Sequence, residues 1–140
     1  MTLVIDRTDD LDACYAIRFE VFVQEQSVPI EEERDVHDQT AIHILATEDG
    51  NPIGTARIIL VGETGKIGRV AVLASRRGTG LGAKLIHACL AALRLLPDVK
   101  VAKLGSQTHA LGFYEKLGFV AEGPEFDDAG IAHRMMRLPL

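Results

Sequence analysis

The chain has 140 residues, 47% hydrophobic and 25% charged, which is the balance of an ordinary globular protein with one core, so a single domain over residues 1–140 is expected. Fifteen basic against twenty acidic residues give a formal charge of −5, which disfavours nucleic acid as a partner and suits a cationic small substrate. No apolar run nears the roughly 20 residues of a membrane span, and the first ten residues lack the basic-then-apolar pattern of a secretory leader.

In chain order, Leu3–Asp6 reads as a short first strand. Asp9 or Asp10 can cap a helix to about Gln24, with Leu11, Cys14, Tyr15, the stem of Arg18 and Phe22 along one face. The connection "EQSVPIEEERDVHDQ" is polar, acidic and interrupted by Pro29, and its plainest reading is a solvated loop. Strands follow in "AIHILATE" and "IGTARIILV", joined at Asp49-Gly50, a good hairpin signal. A turn at "GETG" leads into "KIGRVAVL". Leu81, Leu85, Cys89, Ala92, Leu93 and Leu96 then recur at helical spacing until Pro97. "VKVAKL" is a strand, "THALGFYEKL" a helix stopped by Gly118, and "FVAEG" and "IAHRMMRL" are two last strands. Hairpins in the first half and a β-α-β crossover in the second give a mixed α+β class around a central sheet. Cys14 and Cys89 both fall in helical apolar patterns and read as buried thiols, so a cytoplasmic protein is expected.

The segment "SRRGTGLGAKL", residues 75–85, is a glycine-rich turn between a strand and a helix. There, backbone N–H groups and the helix dipole favour an anion, and glycine lets it approach closely. Arg76, Arg77 and Lys84 could add charge-assisted bonds. "GTGLGA" satisfies the spacing of a dinucleotide fingerprint, but the next strand ends "KLGSQ" without the required carboxylate, and three antiparallel strands precede it. No Gly-Lys-Ser/Thr is present, so a P-loop is excluded.

"RVAVLASRRGTGLGAKLI" resembles the acetyl-CoA-binding motif of the GNAT superfamily of N-acetyltransferases, with Arg77, Gly80 and Gly82 in its three defining positions. "ALGFYEKLGF", about 30 residues later, is similar to the superfamily's second signature, and the element order matches its fold over essentially the whole chain. "VFVQEQSVPIEEERD" and "EFDDAGIAHRMM" resemble the ElaA/YjcF-like branch. The resemblance implies a central, mostly antiparallel sheet with two splayed parallel strands, acetyl-CoA as co-substrate, and an amine of a small molecule or peptide as acceptor. It leaves a homodimer open.

By the same resemblance, the backbone of Val70, Ala71 and Val72 would pair with the pantetheine arm. The amides of Gly78, Thr79, Gly80, Leu81, Gly82 and Ala83 would hold the pyrophosphate beside Arg77. An N–H near Ala71 or Val72 would polarise the thioester, an effect worth roughly 3 kcal/mol. Gln107 stands where many relatives carry a cofactor-contacting asparagine. Tyr114 matches the residue that protonates the departing thiolate, a role a phenol near pKa 10 can fill. Phe113 is expected to pack and Lys116 to lie at the surface. A lysine-like amine needs about 4.6 kcal/mol to lose its proton at pH 7. Many relatives place a glutamate for this where the chain has Gly68, so Glu33, Asp35 and His133 are the alternatives. The five histidines lack ligand spacing, so no metal is expected. A non-catalytic acyl-CoA sensor is the competing function, with Gly68 as its argument.

Overall fold

A computed structural model describes residues 2–140. Seven strands form one sheet in the order β1-β2-β3-β4-β5-β7-β6: β1 Leu3–Thr8, β2 Ile42–Glu48, β3 Asn51–Val61, β4 Thr64–Val72, β5 Val101–Gln107, β6 Val120–Asp128 and β7 Ile131–Pro139. Every neighbouring pair is antiparallel except β4 and β5, which are parallel and linked through α3, Leu81–Arg94. The mixed α+β class and the order of elements follow the expectation. The Asp49-Gly50 hairpin forms in the expected place, with Glu48 paired to Asn51.

The sheet is covered on both faces because its strands alternate. Ile42, Ile44 and Ala46 of β2 join Ala56 and Ile58 of β3 in the larger core, against Leu81, Leu85, Ile86, Cys89, Leu90 and Leu93 of α3. Each of the leucine and isoleucine side chains contributes roughly 1.5–3 kcal/mol on burial. Gly65 allows the close approach: a Cβ there would stand 2.4 Å from Leu93 Cδ2. On the opposite face Ile17 and Val21 pack with Ala71. Cys14 and Cys89 are free and buried, as expected. Among the described residues no helix is long and apolar enough to cross a membrane.

Two expectations are corrected. The first helix is not one α-helix to Gln24: α1 covers Leu11–Arg18, capped by the Asp10 side chain, and continues as a π-helix over Phe19–Glu25. Wider π turns shift the side chains around the axis, so Val21 packs under the sheet while Phe22 faces the cleft described below. Hydrophobic spacing alone does not distinguish this from a regular helix. The acidic connection is not a solvated loop either. It contains α2, Ile30–Glu33, and a 3-10 turn over Val36–Gln39, and it buries Glu33 and Asp38 at 2% exposure each.

Candidate active site

Strands β4 and β5 pair only where Thr64–Ile67 meet Val101–Leu104. Beyond that point β4 runs on to Val72 and β5 to Gln107, with β3 holding one outer side and β7 the other. The divergence starts at a bulge. Gly68 faces Arg57 and Ala71 faces Thr55, so Arg69 and Val70 share the place opposite Ala56. An extra residue bends its strand, and Arg69 carries the strain with φ +50°, a conformation most side chains avoid. Its guanidinium is tied down by Nε bonds to the Glu33 carbonyl (3.1 Å) and carboxylate (3.0 Å). The result is a cleft of about 470 Å³ between two strand edges.

Of the residues proposed for cofactor contact, Val70, Gln107 and Tyr114 line this cleft. Ala71 is 1% exposed, its side chain packed against the α1 face, so only its backbone is available. Val72 packs at the edge of the larger core, and its carbonyl accepts a bond from Arg77 Nε at 3.1 Å. Gly78 to Ala83 lie apart from the cleft lining, at the start of α3. Gly78 and Gly80 take φ +78° and +84°, and Gly80 is the N-cap. The first-turn amides of Leu81, Gly82 and Ala83 have no acceptor within the helix. Leu81 itself is buried in the core, and Thr79 Oγ1 bonds the Arg76 carbonyl. Arg77 pairs with Glu25 at 2.6 Å. Gln107 reaches Gln26 at 3.4 Å and His109 Nε2 at 2.7 Å.

Behind the bulge stands a buried charge network. Arg18, 1% exposed, donates to Glu33 at 2.8 Å and to both Asp38 oxygens at 2.7 and 3.1 Å. Arg57 Nη1 donates to Asp35 at 2.8 Å and to Asp38 at 3.0 Å. Burial works to raise the Asp38 carboxyl, but hydrogen bonds from Arg18 and Arg57 outweigh it and hold it well below the usual carboxylate range. Asp35 moves the same way: burial opposes, and Arg57 and Arg69 prevail. Of the three alternative bases, Glu33 and Asp35 therefore each stand between two guanidinium groups.

Tyr114 sits on α4, Leu111–Lys116, edge-on to Phe113 at 4.9 Å and to Phe119 at 6.1 Å. Burial, reinforced by Cys89, pushes its phenol up to about 12. His133 lies on β7, paired with Gln107, and stacks on Phe126 at 5.7 Å. Its Nδ1 stands 2.7 Å from the Ile131 carbonyl, which can only accept, so Nδ1 carries a proton and the lone pair of the neutral ring is on Nε2. Tyr114 and His133 belong to the same cleft lining, on its β5–α4 and β7 sides.

Arg57 and Arg69 are among the lining residues that sequence reasoning missed; Glu32, Lys66 and Asp128 are other charged ones. An arginine in the middle of the apolar run "IGTARIILV" was the available signal: so placed, it needs buried partners. Arg69 stood just before a hydrophobic triplet and gave no comparable sign. Among the described residues no group of three or more His, Cys, Asp or Glu is placed to hold a metal ion.

The model of the Acetyltransferase (GNAT) domain family matches residues 8–140. YjcF of Bacillus subtilis (strain 168), an N-acetyltransferase described as uncharacterized, is 36% identical over 138 residues, covering 97% of this chain and 98% of that protein. Among solved structures, an acyl-CoA N-acyltransferase from Pseudomonas aeruginosa superposes with a TM-score of 0.85 at 31% identity, covering 97% of each chain. ElaA of Escherichia coli superposes at 0.84 with 27% identity, again over 97% of each. Sequence and fold agree over nearly the full length, and the chain belongs to the GNAT acetyltransferases as an N-acetyltransferase of the ElaA/YjcF-like branch.

Proposed function

We propose that the protein transfers an acetyl group from acetyl-CoA directly to a primary amine in the cleft between β4 and β5. The observation that carries this reading is the parting of those strands after Ile67 and Leu104, which leaves two backbone edges facing a cavity. Such an edge offers N–H and C=O groups to an extended ligand as another strand would. The residues fit an acyl-CoA: Val70 to Val72 for the pantetheine arm, the left-handed glycines and free amides of residues 78–83 for the pyrophosphate, and Gln107 at the rim. When bound, acetyl-CoA supplies an activated acyl carbonyl and a thiolate leaving group.

His133 is the base in this reading. Its Nε2 lone pair faces no competing protein donor among the described residues, and the Nδ1 bond to Ile131 fixes the tautomer. A positioned base of this kind contributes about 10²–10⁴-fold. Tyr114, kept protonated by burial, donates a hydrogen bond where negative charge collects on sulfur. Glu33 and Asp35 hold Arg69 and the bulge in place rather than moving protons.

The test is thermal shift with coenzyme A, followed by a screen of amines that reads free thiol. Stabilisation by coenzyme A together with amine-dependent thiol release supports the proposal. Stabilisation without turnover across a broad panel favours a sensor, and stabilisation by NAD alone removes both readings.

A further inference from the structure

Strands β4 and β5 each carry a glycine at the first position beyond their pairing. Gly68 follows Ile67 and Gly105 follows Leu104, the last matched residues. Neither has a positive φ, so no turn requires it. Glycine inside a strand weakens the strand and often marks the close approach of a ligand. A Cβ on Gly68 would meet nothing within 4 Å, and one on Gly105 would make only ordinary contact, with Phe126 at 3.4 Å and Met135 at 3.6 Å. Both glycines line the cleft, and Gly105 is exposed. The cleft is therefore floored by bare backbone where its two strands part.

The strand register shows what surrounds that floor. Alternation puts His133 and Met135 of β7 on one face of the sheet. Met135 pairs with Gly105, and His133 pairs with Gln107 on one side and Phe126 on the other. The floor is thus one step from the imidazole assigned as base. Phe126 stacks on that ring and is still 37% exposed, and Ile59 lines the cleft from β3. The next row on the same face is cationic: Lys66, Lys103 and Arg137 stand opposite one another across β4, β5 and β7. Among the described residues Glu122 is the carboxylate paired with that row, 3.3 Å from Lys103 and 3.7 Å from Arg137, and Lys66 itself lines the cleft. A second ammonium carried past Gly105 would run into these charges. Asp128, a lining carboxylate, pairs instead with Ile131, on the His133 side of the floor. Arg57, across from Gly68, is committed to Asp35 and Asp38. Negative charge thus lies where an ammonium would meet His133, and apolar surface lies where its substituent would go.

We propose that the acceptor is a primary amine with a single positive charge and an apolar body, an aromatic ring or branched alkyl group close to the nitrogen, which lies over Gly105 between Phe126, Met135 and Ile59. Exposed phenyl and thioether groups suit such a body, since aromatic rings pack favourably against both. This rests on the reading of the cleft as an acetyl-CoA-dependent amine site and adds the class of acceptor. Gly105 is the position that sets the size of the body, and Lys66 the one that discriminates against polyamines.

The experiment uses the full chain and two pairs of amines: benzylamine against ethanolamine, and 3-methylbutylamine against putrescine. The expected result is a kcat/KM at least about tenfold higher for the apolar member of one pair, the scale on which an apolar pocket discriminates. A smaller ratio in both pairs overturns the proposal. Gly105→Val fills the floor and should lower that ratio at least threefold; a smaller change overturns it. If coenzyme A no longer stabilises Gly105→Val, the same comparison is made with Phe126→Ala, which removes the exposed wall, and the same threefold fall is required. A wild type that uses hexanoyl-CoA as readily as acetyl-CoA, with Gly105→Val losing only that capacity, would give the space to the acyl chain and overturn the proposal as well. If no amine turns over, N-acetylbenzylamine and N-acetylethanolamine are compared by thermal shift with coenzyme A present: a larger shift for the first supports the proposal, and equal shifts overturn it. Failure of coenzyme A itself to stabilise the wild type would instead sink the underlying acyltransfer reading.

Discussion

Arg18 and Asp38, twenty residues apart, lie side by side in the interior. Nη1 and Nη2 of the arginine reach the two carboxylate oxygens at 2.7 and 3.1 Å, and each residue is at most 2% exposed. The pair does not stand alone. The Asp38 backbone carbonyl accepts a 2.8 Å bond from His43 Nε2, and Tyr15 donates to the carboxylate at 3.3 Å. Breaking one partner of a buried, hydrogen-bonded ion pair leaves the other charge uncompensated, at a cost of about 3–5 kcal/mol. Asp38→Asn should therefore lower the stability of the protein by that order at pH 7, read by urea denaturation.

The same pair sets an acid limit. The folded-state pKa of Asp38 is depressed, so its contribution is complete above the unfolded carboxylate value of about 3.9 and is lost as pH falls toward the folded value. Asp35 shifts in the same direction and adds to the slope. The stability gap between wild type and Asp38→Asn should accordingly be largest near neutral pH and narrow below about pH 4. A gap that stays constant from pH 7 to pH 3 would show that Asp38 is not held ionised by its arginines.

Tyr114 gives a different pH signature. Its phenol is pushed up to about 12, so it stays protonated throughout any practical assay range. Tyr114→Phe should lower kcat by about 10²–10⁴-fold. The ratio of wild-type to variant rates should be flat from pH 7 to pH 10. A ratio that fell as pH rose toward 10 would mean an ordinary phenol and a more open site.

The sequence carried the elements whose causes are local. Asp49-Gly50 makes a hairpin because φ +52° and +84° suit those residue types, and α3 shows its apolar stripe because one side of it is core. The glycine turn and the "GFYEKLGF" helix were legible for the same reason. The buried network was not. Glu31, Glu32 and Glu33 are identical in type and adjacent, yet only Glu33 is buried, and nothing in the run "EEE" marks it. Its burial depends on Arg18 and Arg69, 15 residues before and 36 after, meeting at one point. The bulge at Arg69 shares that origin, since its strained φ is held by partners distant in sequence. Long-range charge pairing of this sort has no period for a pattern reading to find.

His133 supports the last prediction, and it separates a base from a packing residue. Its ring stacks on Phe126 with planes 28° apart, so a variant that merely loosened the cleft would weaken binding of any ligand there. His133→Gln keeps a polar side chain of similar reach but removes the imidazole lone pair. If Nε2 takes the proton of the amine, kcat should fall by about 10²–10⁴-fold while KM changes little, and more strongly basic acceptors should suffer more than weakly basic ones. An acceptor that is already neutral at the assay pH needs no base and should be transferred at near wild-type rate by the variant. An equal loss across acceptors of low and high basicity, or a loss confined to KM, would assign His133 to positioning and return the search for the base to solvent.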